Sequence, residues 1–237
     1  MKRFWDDVSV RSADEGHAIL LDNRPINLPG GRRLMVRHAP LAEAIAAEWR
    51  EAGGAKGGEM SFADTPLTRL AGTAQERIAP DPAATVDAIA RYGEADLLCY
   101  RADSPDELVQ RQSRDWQPWL DWAALTFDAP LRVTTGVSPI KQHRDSVAAL
   151  RHAVAAQDPY VLAGLGIAVP ALGSLVLGLA MASGRLDGAT AHTLGALDEL
   201  FQAELWGEDD EAAYRRTSVA ADIALAERLI MLTREAV

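Results

Sequence analysis

From Tyr160 to Ala182 the chain carries no charged side chain. An apolar stretch longer than about 18 residues is the length signal of a membrane-spanning helix. This run, however, contains Gly164, Gly166, Gly173 and Gly178, and Pro170 stands near its middle. Its flanks are weak: Asp158 on one side, Arg185 and Asp187 on the other, without a positive cluster or an aromatic belt. Pro170 removes a helical donor, so two shorter helices are predicted in place of one long one. A helix apolar on every side belongs inside a protein. The run therefore predicts the centre of a helical bundle and no stable membrane insertion.

Helix-start signals surround it. Asp81-Pro82, Ser104-Pro105-Asp106-Glu107, Ser138-Pro139 and Asp158-Pro159 each pair a capping side chain with a proline suited to a first helical position. Ser104 with Glu107 has the form of a capping box. The helix after it carries Leu108, Gln112, Trp116, Trp119, Leu120, Ala123 and Phe127, and Pro118 is expected to kink or restart it. Asp187 is expected to cap a helix with Leu194, Leu197, Phe201 and Leu205 on one face. Asp209 or Asp210 opens the last helix, with Tyr214, Ile223 and Ile230 toward the core.

The first third is different. Short apolar runs near Val8, Ile19, Ile26 and Met35 are separated by turn residues such as Asp22-Asn23-Arg24-Pro25 and Pro29-Gly30-Gly31. That spacing predicts an antiparallel meander. Pro40 then opens a helix through Ile45 and Trp49 that stops at Gly53-Gly54, and a linker is expected near Ala74 to Pro80. The fold class is α+β: a small N-terminal antiparallel sheet-plus-helix domain over residues 1–78, then a larger all-α helical-bundle domain of about six helices over residues 79–237.

Charge and motifs remove several functions. Net charge is −10, and apart from Lys2, Lys56 and Lys141 every base is arginine, with no dense basic cluster. Such a surface repels phosphate backbones, so no nucleic-acid partner is expected. Cys99 is the sole cysteine, which excludes an intrachain disulfide and a cysteine-based zinc cage. It reads as a buried apolar residue. His17, His38, His143, His152 and His192 are scattered, so no metal site is expected. No metalloprotease, P-loop or serine-hydrolase motif occurs. Gly164-Leu165-Gly166 lacks the later small residue of a dinucleotide fingerprint, since Val169 holds that place. No cofactor and no catalytic residue are assigned. An enzyme with an unrecognised site between the domains, or a helical adaptor for another protein, stays open at this level.

Two patterns do point to a surface. Trp116, Trp119 and Trp122 fall at three-residue spacing along one side of a helix, which reads as core or, in part, as a docking patch. Asp198, Glu199, Glu204, Glu208, Asp209, Asp210 and Glu211 form an acidic stretch with no base before Arg215 and Arg216. It reads as a solvated face or as a recognition surface for a basic partner. Candidate partner-binding residues are Asp198, Glu199, Glu204, Trp116 and Trp119.

Several segments together carry a resemblance. They are Arg3-Phe4-Trp5, Leu21 to Pro25 leading to Leu28-Pro29, Ala44 to Trp49, Pro66 to Ala71, Asp96 to Arg101, Trp116 to Trp122, Leu172-Gly173-Ser174 and Asp198 to Gly207. In this order the chain resembles the ATP12 family of F1-ATPase assembly chaperones, over roughly Arg3 to Leu229. The resemblance implies a non-enzymatic chaperone without a cofactor, whose protein partner is the free F1-ATPase α subunit. It implies that an assembly surface on α is shielded until the β subunit replaces the chaperone. It also implies a functionally important acidic residue on the helix reaching Trp206-Gly207, for which Asp198 or Glu199, then Glu204, is the candidate. The chain opens almost directly on predicted structure, without an apolar leader. A bacterial cytoplasmic member is therefore expected; eukaryotic relatives are expected in the mitochondrial matrix.

Overall fold

The computed structural model describes residues 1–136 and 138–234. They form two compact units. One contains Met1–Pro82, Pro159–Gly164 and the described residues from Arg228 onward; the other contains Ala83–Asp158 and Leu165–Glu227.

The first unit is built on a small sheet. Strands β1 (Val8–Ala13) and β2 (Gly16–Leu21) pair antiparallel, with Val8 opposite Leu21 and Ala13 opposite Gly16. Next, β3 (Arg24–Pro25) pairs with the end of β2 through a turn in which Asp22 and Asn23 both have positive φ, 47° and 65°. Asp and Asn tolerate that region, which matches the twist of a tight hairpin. The meander then ends: β4 (Met35–Val36) returns to β2 at His17 and Ala18. Ile19, Leu20 and Leu21 of the central strand are all buried.

Helix α1 (Ala39–Glu51) starts with Pro40 in its first turn and buries Leu41, Ile45 and Trp49. Its C-terminal carbonyls need donors, and Arg3 supplies them: Nη1 donates to Arg50 O at 2.7 Å and to Ala52 O at 3.3 Å. Trp5 has no exposed surface and donates its indole N–H to Trp49 O at 3.0 Å. The two indole rings lie 5.0 Å apart. Trp49 Nε1 in turn donates to Thr68 Oγ1 at 2.9 Å. Helix α2 (Pro66–Thr73) begins on the buried Glu48 carboxylate, which accepts from Leu67 N at 2.7 Å and Thr68 N at 3.2 Å. Burial raises the Glu48 pKa against the pull of these hydrogen bonds. The stretch expected to be a linker is instead anchored. Ala74–Ile78 is a wide helical turn, where Gln75 bonds Met35 N and Arg33 O, and Glu76 bonds Gly30 N.

The second unit is helical apart from a short parallel pair, β5 (Tyr100–Arg101) with β6 (Thr134–Thr135). Its helices are α3 (Ala83–Ala90), α4 (Asp106–Phe127), α5 (Arg144–Ala155), the later part of α6 (Pro159–Leu172), α7 (Leu175–Ala182), α8 (Gly188–Gly195), α9 (Leu197–Trp206) and most of α10 (Asp210–Leu232). The uncharged run is α6 and α7. No helix among the described residues is long and apolar enough to cross a membrane. The break comes at Gly173-Ser174, three residues beyond Pro170, which sits within the last turn of α6. Gly173 takes φ +63°, a conformation that favours glycine. Gly178 lets α7 close on α6: a β-carbon there would stand 2.5 Å from Val169 Cγ2.

Residues Leu175 to Met181 are all buried, so the first donors of α7 cannot reach water. Ser174 Oγ accepts from Leu177 N at 3.1 Å. Asp96, itself without exposed surface, accepts from Val176 N at 3.0 Å, Ser174 Oγ at 2.8 Å and Leu98 N at 3.1 Å. Burial outweighs these bonds and pushes the Asp96 pKa up to about 6. Nearby Cys99 is buried and its thiol is pushed up to about 12, chiefly by burial.

Four local expectations are corrected. The capping box at Ser104 does not form. Helix α4 begins at Asp106, and Ser104 Oγ bonds Asp103 instead. Pro118 neither ends nor restarts α4, which continues to Phe127. The helix capped by Asp187 is two helices, interrupted at Ala196 where Gly195 packs on Leu172. That break turns Leu205 to solvent, and Tyr214 also lies outside the core, while Ile223 and Ile230 are buried as expected.

Two measurements check this interior. Trp49→Arg should lose at least about 3 kcal/mol in urea unfolding, because a guanidinium would replace an indole packed on Trp5. Asp96 binds a proton more readily folded than unfolded, so its contribution to stability is present at low pH and declines as pH rises from about 4 to about 6. The stability difference between wild type and Asp96→Asn should shrink over that window and level off above it. A pH-independent difference would contradict the assignment.

Candidate functional site

The candidate residues lie on α4 and α9, and the structure brings most of them together in the second unit. Helix α4 is the scaffold. Trp116 has no exposed surface, and its Nε1 donates to Leu194 O, near the end of α8, at 2.9 Å. The Arg101 guanidinium lies over the Trp116 ring at 5.3 Å. Trp116 is thus a packing residue beneath the surface. Trp119 is half-buried and makes its ring contact with Trp122, at 6.4 Å, and Trp122 continues the cluster to Phe127 at 5.1 Å.

Asp198 is part-exposed and held from below. Gln112, almost fully buried on α4, donates Nε2 to Asp198 Oδ1 at 2.7 Å and accepts from Ala102 N at 2.8 Å. The backbone oxygen of Gln112 accepts from Arg101 Nη1 at 2.6 Å. Burial lowers the Arg101 pKa, and the Asp198 charge acts against that. A single chain of contacts therefore links Trp116, Arg101, Gln112 and Asp198, fixing where the carboxylate stands.

The next residue, Glu199, and Glu204 further along α9 are exposed. Glu204 bonds Arg111 Nη1 at 2.8 Å, which holds its pKa below the usual range. Arg111 also lies over the Phe201 ring at 5.1 Å. Between α4 and the α8–α9 segment runs a groove of about 330 Å³ lined by Arg111, Asp115, Leu194, Leu197, Leu200 and Glu204. Toward α10, Glu199 Oε2 stands 3.7 Å from Arg216 Nη1, and Glu208 bonds Arg216 Nη2 at 2.5 Å. Arg216 is largely buried, so one α10 side chain ties α9 to the turn that follows it.

Arg101, Gln112 and Arg216 escaped the sequence reading. Four-residue spacing puts Gln112 on the stripe with Leu108 and Trp116, but no role follows from it, since Arg101, Gln112 and Arg216 each act on a residue distant in the chain or on another helix. Trp206 was also missed as a surface residue, although a tryptophan set within an acidic stretch and followed by glycine was a usable signal. No group of three or more His, Cys, Asp or Glu side chains among the described residues could hold a metal ion. The arrangement presents carboxylates and apolar surface at fixed positions, which suits recognition of a protein.

Trp116→Ala should cost roughly 3–5 kcal/mol and lower Tm. Trp119→Ala, at a half-buried position, should cost clearly less. Equal losses in thermal unfolding would contradict the separation of core from surface along α4.

A model of the family described as ATP12 chaperone protein matches residues 2–124. Among solved structures, Atp12 from Paracoccus denitrificans is similar at 43% identity and a TM-score of 0.92, covering 98% of this chain and 98% of that one. A mutant of the P. denitrificans protein Atp12p is similar at 42% identity with a TM-score of 0.93 and the same coverage. A protein of Agrobacterium tumefaciens described as a candidate chaperone is 36% identical with a TM-score of 0.90, over 98% of this chain and 86% of that one.

Proposed function

The chain belongs to the ATP12 chaperone family, and on that premise we propose that it binds the free α subunit of the F1 sector of ATP synthase and masks its assembly interface. The family and its structural relatives are chaperones. An unassembled subunit exposes apolar surface meant for a neighbour, and such surface aggregates unless covered. Covering it requires complementary shape and charge, and no chemical step. The β subunit then displaces the chaperone by binding the same surface more favourably in the growing ring. On this reading the chain is not an enzyme, and a bacterial member works in the cytoplasm.

The observation that carries the reading is how the acids of α9 are held. Asp198, Glu199 and Glu204 stand on one helix, with Asp198 positioned by Gln112 and Glu204 by Arg111. Glu199 is exposed and its cationic neighbour is 3.7 Å away, so a basic group on α could engage it without breaking a tight pair. Charge at the edge of an interface acts mainly on register and encounter rate. Trp116 contributes from beneath by tying α4 to the end of α8, and Trp119 lies on the same helix α4.

Glu199→Lys should leave the unfolding free energy within about 1 kcal/mol of wild type, because Glu199 is exposed, its 3.7 Å contact with Arg216 is loose, and Arg216 keeps its closer partner Glu208. The same variant should retain clearly less purified α subunit in a pull-down. Wild-type levels of retained α would remove Glu199 from the interface. Failure of the unaltered chain to retain α would remove the proposed partner.

A further inference from the structure

The corner joining α9 to α10 exposes apolar side chains that its surroundings do not explain. Trp206 is 78% exposed, Leu205 54% and Tyr214 79%. A lone exposed leucine is ordinary, but Trp and Tyr are the residues most enriched at the energetic centres of protein interfaces. The corner is not a frayed end. Gly207, at φ +91°, donates its N–H to Ala203 O at 2.9 Å and turns the chain. The Asp209 side chain accepts from Ala212 N at 2.9 Å, and its carbonyl accepts from Ala213 N at 2.8 Å. The largely buried Arg216 binds Glu208 in the turn and faces Glu199 on α9. The aromatic side chains are therefore held outward on a braced frame.

We propose that this corner is an anchor whose Leu205, Trp206 and Tyr214 enter an apolar cleft with a basic rim on the partner protein. The rim follows from charge. Glu204, Glu208, Asp209, Asp210 and Glu211, next to the apolar side chains in the chain, are all exposed, with Arg215 as an exposed base among them. Glu204 and Glu208 are already matched by arginines of this chain, and Asp209 caps α10, which leaves Asp210 and Glu211 facing outward. Lysine or arginine at the mouth of the cleft complements them. The same acids repel a second copy of this corner, an anionic lipid surface and a phosphate backbone. The occupant is therefore a protein. The assignment of that protein as the F1 α subunit rests on the function proposed above.

The test uses the full chain and purified F1 α subunit. Trp206→Ala and Tyr214→Ala should each bind α about thirtyfold more weakly, the loss typical of an interface hot spot, with Tm unchanged. Leu125→Ala, which removes an 88% exposed leucine on α4, should bind like wild type. In the unaltered chain, tryptophan emission excited at its red edge should shift to the blue when α is added, since Trp206 is its most exposed indole, and Trp206→Ala should lose the shift. If wild type binds α while both corner variants bind equally well and the emission is unmoved, the anchor is overturned and the chaperone reading stands. A dimer in sedimentation that Trp206→Ala dissolves would also overturn it, by naming a second copy as occupant. If the unaltered chain does not bind α, the partner assignment falls, and this inference with it.

Discussion

The Asp96 carboxylate is the interaction on which the helical unit depends. A helix as apolar as α7 is stable only where water is excluded, yet its first donors then have no solvent to turn to. Ser174 satisfies one, and Asp96 takes Val176 N together with the Ser174 hydroxyl. Because Asp96 also accepts from Leu98 N, the same carboxylate fixes the segment that leads into β5. Placing a carboxylate there has a cost, visible in its pKa near 6, and the three hydrogen bonds it accepts keep that cost tolerable.

The sheet unit uses the same device. Glu48 lies on α1, is buried, and accepts from the first donors of α2. In both units an interior acid from one segment starts a helix that lacks a capping side chain able to do the whole task. Arg3 complements this at the other pole, closing the C-terminal carbonyls of α1. The opening Arg3-Phe4-Trp5 segment is thereby explained by backbone satisfaction and by the Trp5–Trp49 contact.

A rigid support of this kind has a consequence for recognition. Side chains that meet a partner bind more tightly when they need not be ordered at the moment of contact. Asp198 stands on Gln112 and, through it, on Arg101 and Trp116. Glu199 and the turn after α9 stand on Arg216. The acidic stretch is thus neither wholly a solvated face nor a free cluster, because its members differ in how each is held.

By itself, the sequence determined whatever depends on local pattern. The interior position of the uncharged run, the short strands before it, the helix opened by Pro40, the cap at Asp187 and the inert setting of Cys99 all follow from periodicity, turn chemistry and composition. The α+β class was legible on the same basis, and the family likeness was legible in the order of segments from Arg3-Phe4-Trp5 to Asp198–Gly207. Tertiary structure alone decided the return of β4 to β2, the division of α8 from α9, and the split of the tryptophan stripe into a buried Trp116 and half-buried Trp119 and Trp122. It also decided that Leu205 and Tyr214 face solvent and that Gln112 and Arg216 hold the acidic helix. The physical reason is range. A helix's phase and caps are set within a few residues, whereas which face is covered, and which charge finds a partner, is set by neighbours from distant parts of the chain.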